Sequence, residues 1–110
     1  MANNENMDNE SKLKVTLTQD GEEYTFTLEG RLNTLTSPDL EEQVEAVLES
    51  AKKMIFDLAK LEYISSAGLR VLLGAAQELE DRGEVVVRNL TNSVREVFDV
   101  TGFSDAFTVE

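Results

Sequence analysis

Two adjacent hydroxyls, Ser65 and Ser66, precede the small pair Ala67-Gly68 and an apolar helical stretch, and they are the natural place to look for chemistry. A serine hydroxyl needs a neighbouring base to act as a nucleophile. The chain has no histidine, which removes the Ser-His-Asp arrangement, and Ser66 does not sit in Gly-x-Ser-x-Gly. A Ser-Lys pair with Lys52, Lys53 or Lys60 is conceivable, but nothing in their spacing favours it. The absence of cysteine as well excludes thiolate nucleophiles, disulfides and cysteine metal sites. Neither a Walker A nor a GxGxxG pattern cradles a phosphate. No cofactor, metal or catalytic residue is therefore expected, and the chain is read as a non-enzyme. The residues themselves leave two roles open for the serines, one structural and one as a site of modification. Either hydroxyl could be a plain helix cap, and the same place suits a phosphoserine, because a helix N-terminus tolerates added negative charge.

Asp57 is the second candidate, inside the apolar run Met54-Ile55-Phe56-Asp57-Leu58. A phosphoacceptor aspartate of the receiver type needs further acidic residues near the first strand and a bound metal. Leu13–Leu17 offers no such acids, so Asp57 is read as a structural carboxylate hydrogen-bonded to neighbouring loop or helix groups.

The elements that must position these residues follow from periodicity. Leu13, Val15 and Leu17 alternate with polar residues, Asp20-Gly21 signals a tight turn, and Tyr24, Phe26 and Leu28 alternate again, which predicts a hairpin. A polar loop is expected from Gly30 to Thr36. A helix should follow, capped by Thr36 or Ser37, with Pro38 near its start and an apolar stripe of Leu40, Val44, Val47 and Leu48. The Met54–Leu58 run suits a central strand covered on both faces. A loop from Ala59 to Ser65 then leads to a helix beginning near Ser66 and stopping at Gly83. Val85–Val87 reads as a buried strand, Ser93 with Glu96 as a capping box, Gly102 as a helix stop and Ala106–Val109 as an edge strand. The order is β-β-α-β-α-β-α-β, an α/β domain with a mixed sheet flanked by helices. The expected division is a disordered arm over residues 1–11 and one domain over 12–110.

Charge narrows the partners. With 22 acidic and 10 basic residues the net charge is −12, which repels phosphate backbones and argues against direct nucleic-acid binding. No apolar run is long enough to cross a bilayer, and the first eleven residues lack the apolar core of a signal peptide. A cytoplasmic location without membrane insertion is the expectation, and the acidic surface favours a monomer.

At this point three ordered motifs become recognisable. Phe56-Asp57-Leu58 followed by Leu61-Glu62-Tyr63-Ile64-Ser65-Ser66-Ala67-Gly68-Leu69-Arg70-Val71-Leu72-Leu73 closely resembles the signature of STAS domains. Gly30-Arg31-Leu32-Asn33 resembles the family's upstream Gly-x-Leu-Asp motif, and Val97–Phe103 its C-terminal helix ending. The resemblance is to the free-standing anti-sigma factor antagonists. It implies a partner switch: the unphosphorylated antagonist binds an anti-sigma factor that is also a serine kinase, thereby releasing a sigma factor. The kinase then phosphorylates the antagonist, and a PP2C-type phosphatase resets it. Counting back from Gly68 assigns the phosphoacceptor to Ser66 and puts Ser65 where the family commonly has aspartate. Asn33 likewise replaces an aspartate, so the mouth around Ser66 should be less negative than in relatives. The implied docking surface includes Asn33, Thr34, Ser65, Gly68, Leu69 and Arg70. The alternative implied by the same family is a scaffold or transport accessory module that binds a signalling complex or a lipid-transport ATPase without serine phosphorylation.

Overall fold

In the computed structural model, which describes residues 12–110, the Asp20-Gly21 signal closes a two-residue turn between β1 (Leu13–Asp20) and β2 (Glu23–Leu32). Gly21 takes the left-handed φ of +64° that such a turn requires, and the strands pair antiparallel in unbroken register from Leu13–Gly30 to Asp20–Glu23. The predicted arm over residues 1–11 lies outside the described residues. The chain continues through α1 (Ser37–Leu48), β3 (Lys53–Ile64), α2 (Ser66–Leu79), β4 (Glu84–Arg88), α3 (Asn92–Thr101), a 3-10 turn (Phe103–Ala106) and β5 (Thr108–Val109). The element order is the expected one, with the 3-10 turn added.

The sheet order is β1-β2-β3-β4-β5, and every pair after the first is parallel. Because this order never reverses, right-handed crossovers place α1, α2 and α3 along the same face. Phe26, Leu28, Met54, Phe56, Leu58, Val85 and Val87 point into one core with Leu40, Val44, Leu69, Leu72, Leu79, Val94 and Phe98. Phe26 and Phe56 stack at its centre, ring centroids 5.3 Å apart.

The expectation that β3 is covered on both faces needs correction. Among the described residues no helix covers the opposite face. Ile55 is nonetheless only 3% exposed, and it lies in register between Thr25 and Val86. Beside it Lys53 bridges Glu23 and Glu84 at 3.7 and 3.9 Å. In-plane neighbours thus shelter what would ordinarily take a second helical layer.

Both expected loops are shorter than read from sequence. β2 runs on to Leu32, leaving only the turn Asn33–Thr36, and β3 runs on to Ile64 where a loop from Ala59 was expected. The extension pairs Glu29 with Lys60, Gly30 with Leu61, Arg31 with Tyr63 and Leu32 with Ile64, across two register shifts. Those shifts break the period-2 signal and bend the strand end. The capping box at Ser93 is also overturned: Thr91 holds the N-cap position, and its hydroxyl donates to the Leu61 carbonyl (3.1 Å) instead of capping. The edge strand shrinks to Thr108–Val109, while Phe107 is buried against Phe98 at 5.5 Å.

Candidate functional site

The carboxyl ends of β2 and β3 lie side by side, so the turns that follow them are neighbours. The Ser65 amide donates to the Leu32 carbonyl at 2.9 Å and fastens one turn to the other. Gly68 packs so tightly on Leu32 that a Cβ there would lie 2.6 Å from Leu32 Cγ and 3.0 Å from its carbonyl oxygen. The missing side chain at Gly68 is therefore what allows the first turn of α2 to approach β2.

The two serines differ in role. Ser65 is the N-cap of α2: its backbone is extended and its hydroxyl accepts from the Gly68 amide at 3.2 Å. Ser66 is the first helical residue, and it is exposed. No hydrogen bond to another described residue engages its hydroxyl. Helix geometry leaves the Ser66 and Ala67 amides without intrahelical partners. Lys52 and Lys53 sit at the start of β3, at the opposite end of that strand from Ser66.

The facing turn is built around Asn33 and Thr36. Asn33 Oδ1 accepts from the Leu35 and Thr36 amides at 2.9 and 3.1 Å. The buried Thr36 hydroxyl accepts from the Asn33 amide and donates to the Arg31 carbonyl, both at 2.9 Å. Thr36 stands at the N-cap position of α1, but its side chain makes no cap bond, so it locks the turn and not the helix. Arg31 lies over the Tyr63 ring, 4.5 Å from its centroid, and ties the strand ends together from the side.

Of the residues named from sequence, Asn33, Thr34, Ser65, Ser66 and Arg70 reach the surface of this end, Asn33 and Ser65 in part. Gly68 and Leu69 do not: both are buried, and Leu69 is 1% exposed in the core, so they shape the turn without offering a side chain. Asp57 lies lower on β3. Its Oδ1 accepts from the Ala59 amide (3.1 Å) and from Asn89 Nδ2 (3.2 Å), and Asn89 holds a left-handed φ of +60° beside it. Sequence reasoning did not single out Leu35, which is 72% exposed at the tip of the Asn33–Thr36 turn, nor Arg31 and Tyr63. An unpaired leucine in a polar loop was the available signal for the first.

Comparison with known proteins decides the family, since the sequence profile of the STAS domain matches residues 14–110. The chain belongs to the STAS domain family. Among relatives of this STAS domain is BtrV of Bordetella bronchiseptica, provisionally described as an anti-sigma factor antagonist. It is 40% identical over 84 residues, which cover 74% of this chain and 72% of BtrV. A crystal structure of an anti-sigma factor antagonist from Mycobacterium paratuberculosis superposes with a TM-score of 0.82 at 21% identity, over 89% of this chain and 85% of the other. The antagonist SpoIIAA in its unphosphorylated form gives 0.79 at 21% identity, covering 88% of each chain. Its phosphorylated form gives 0.72 at 20%, over 88% of this STAS domain and 91% of SpoIIAA. At these identities the structural likeness speaks for the fold. No helix among the described residues is long and apolar enough to cross a membrane.

Proposed function

We propose that this STAS domain is an anti-sigma factor antagonist gated by phosphorylation of Ser66. In this reading the unphosphorylated surface around Ser66 holds an anti-sigma factor with serine kinase activity, a sigma factor is released, and a PP2C-type phosphatase restores the bound state. The names of BtrV and SpoIIAA support the antagonist role, and the two states of SpoIIAA support the gate. The observation that carries the choice of residue is the division between the serines. Ser65 spends its hydroxyl on Gly68, whereas Ser66 presents its own to solvent one residue later.

A phosphoryl group on Ser66 adds about −1.5 to −2 charges at the first residue of α2. The helix dipole and the free first-turn amides favour negative charge there, so the fold stands. The effect falls on whatever covers the surface. Replacing Ser66 separates the outcomes: Ser66→Asp should abolish capture of the anti-sigma factor in a pull-down and Ser66→Ala should retain it. Phosphopeptide mass spectrometry after incubation with the purified anti-sigma factor kinase and ATP should place the phosphate on Ser66. Normal binding by Ser66→Asp, or a phosphate found on another residue, refutes the mechanism.

A further inference from the structure

We infer that Leu35 is the apolar anchor by which this domain docks its protein partner, seated in a socket on the anti-sigma factor next to Ser66. The inference rests on the proposed function for the identity of that partner and goes beyond it in naming the residue that holds it. Leu35 is 72% exposed, although leucine is among the side chains that gain most from burial. A leucine exposed on a floppy loop would mean little. This one stands on a turn locked by four hydrogen bonds of 2.9 to 3.1 Å through Asn33 and Thr36. That turn is in turn fastened to the Ser65-Ser66 segment through the Leu32 carbonyl. The knob is preorganised, so burying it on a partner sacrifices little conformational freedom.

The charge pattern fits the same occupant. Residues 32–38 and 63–69, the two segments that build this end, contain no charged side chain in a chain whose net charge is −12. Each segment is bracketed by one cation and one anion, Arg31 with Asp39 and Arg70 with Glu62, so the brackets also sum to zero. An apolar tip inside a neutral ring with charged residues at the rim is the anatomy of a protein-docking surface. It is a poor surface for a polyanion or a lipid headgroup. The neutrality also explains why a phosphate on Ser66 would matter, since it would place the full phosphoserine charge in a ring that otherwise carries none.

The test compares affinities of the full chain for its purified anti-sigma factor, by titration calorimetry. Leu35→Ser should weaken binding by about 10- to 100-fold, the loss expected for one buried leucine. Leu35→Met, which keeps an apolar side chain of similar volume, should stay within about threefold. Val100→Ser is the control: Val100 is 81% exposed on the last turn of α3, away from Ser66, and its loss should leave affinity unchanged. All three should melt like the wild type. Wild-type affinity in Leu35→Ser overturns the anchor while leaving the proposed function standing. Failure of the unmodified wild-type chain to bind refutes that function, and this inference with it. Self-association of the wild type in sedimentation that Leu35→Ser abolishes would assign the knob to a second copy and also overturn the proposal.

Discussion

Two glycines on α2 should respond to alanine with opposite signs, and the contrast tests whether the approach of α2 to β2 is the constraint that shapes the site. At Gly74 an added Cβ meets nothing within 4 Å, and the position is exposed in mid-helix. Gly74→Ala should therefore gain the ordinary helix-propensity difference, about 0.8–1 kcal/mol. At Gly68 the same Cβ would stand 2.6 Å from Leu32 Cγ, 3.0 Å from Cδ2 and 3.0 Å from the carbonyl oxygen. Leu32 is fully buried, and its carbonyl already holds the Ser65 amide at 2.9 Å, so neither obstacle can yield without disturbing the junction. Overpacking of this kind costs about 1–3 kcal/mol, and the propensity gain recovers at most about 1. The expected net loss is roughly 1–2 kcal/mol, or about 5–10 °C in Tm for a domain of this size. Thermal melting followed by circular dichroism reads both variants. A Gly68→Ala protein as stable as the wild type would refute the claim that this contact sets the spacing of the two turns.

Three further predictions bear on how the site is held. Arg82, from the turn before β4, donates to the Leu48 and Ala51 carbonyls at 3.0 and 3.1 Å, and so closes the C-terminal end of α1, which has no basic residue of its own. Arg82→Ala should lower stability by about 1–2 kcal/mol, and urea unfolding checks it. Ser65→Ala should cost about 1 kcal/mol through loss of the cap, while Ser65→Asp, an equally good cap, should melt with the wild type. Asn33→Asp keeps the acceptor for the Leu35 and Thr36 amides and should also be nearly neutral in stability. Those two acidic variants therefore isolate charge from architecture, and unchanged kinase turnover in both would refute a role for charge at these two positions.

Local signals carried the sequence reading where an element depends on its own residues. The hairpin followed from alternation and Asp20-Gly21, and α1 from Pro38 and its apolar stripe, because turn geometry and amphipathic burial act over a few positions. The second half of β3 was not legible. Its pairing with β2 slips register twice, and Lys60, Glu62 and Tyr63 are exposed around a buried Leu61 in no simple period. The Ser93–Glu96 match failed for a related reason, since Thr91 is drawn to the Leu61 carbonyl, 30 residues away. Ser66 was legible as a candidate from its motif, but its freedom from the cap was not. Which of two adjacent serines takes the Gly68 amide depends on where β3 ends, and the strand end was the feature that sequence misplaced.

The arrangement separates the proposed switch from the stability of the fold. The junction is held by Ser65, Gly68, Leu32, Asn33 and Thr36, and none of their bonds passes through the Ser66 hydroxyl. A phosphate there neither breaks a native bond nor opposes the helix dipole, so the energy of switching has to arise at the interface. A hundredfold loss of affinity requires about 2.8 kcal/mol. Docking an uncharged ring would strip water from the phosphate, and an unpaired charge taken out of water costs several kcal/mol even after relaxation. That exceeds the requirement without any change of shape. An interface built on neutral segments is thus the one for which a single phosphate suffices. On the acidic remainder of this chain, where carboxylates already face solvent, the same modification would change the local charge by a smaller fraction and discriminate less between partners.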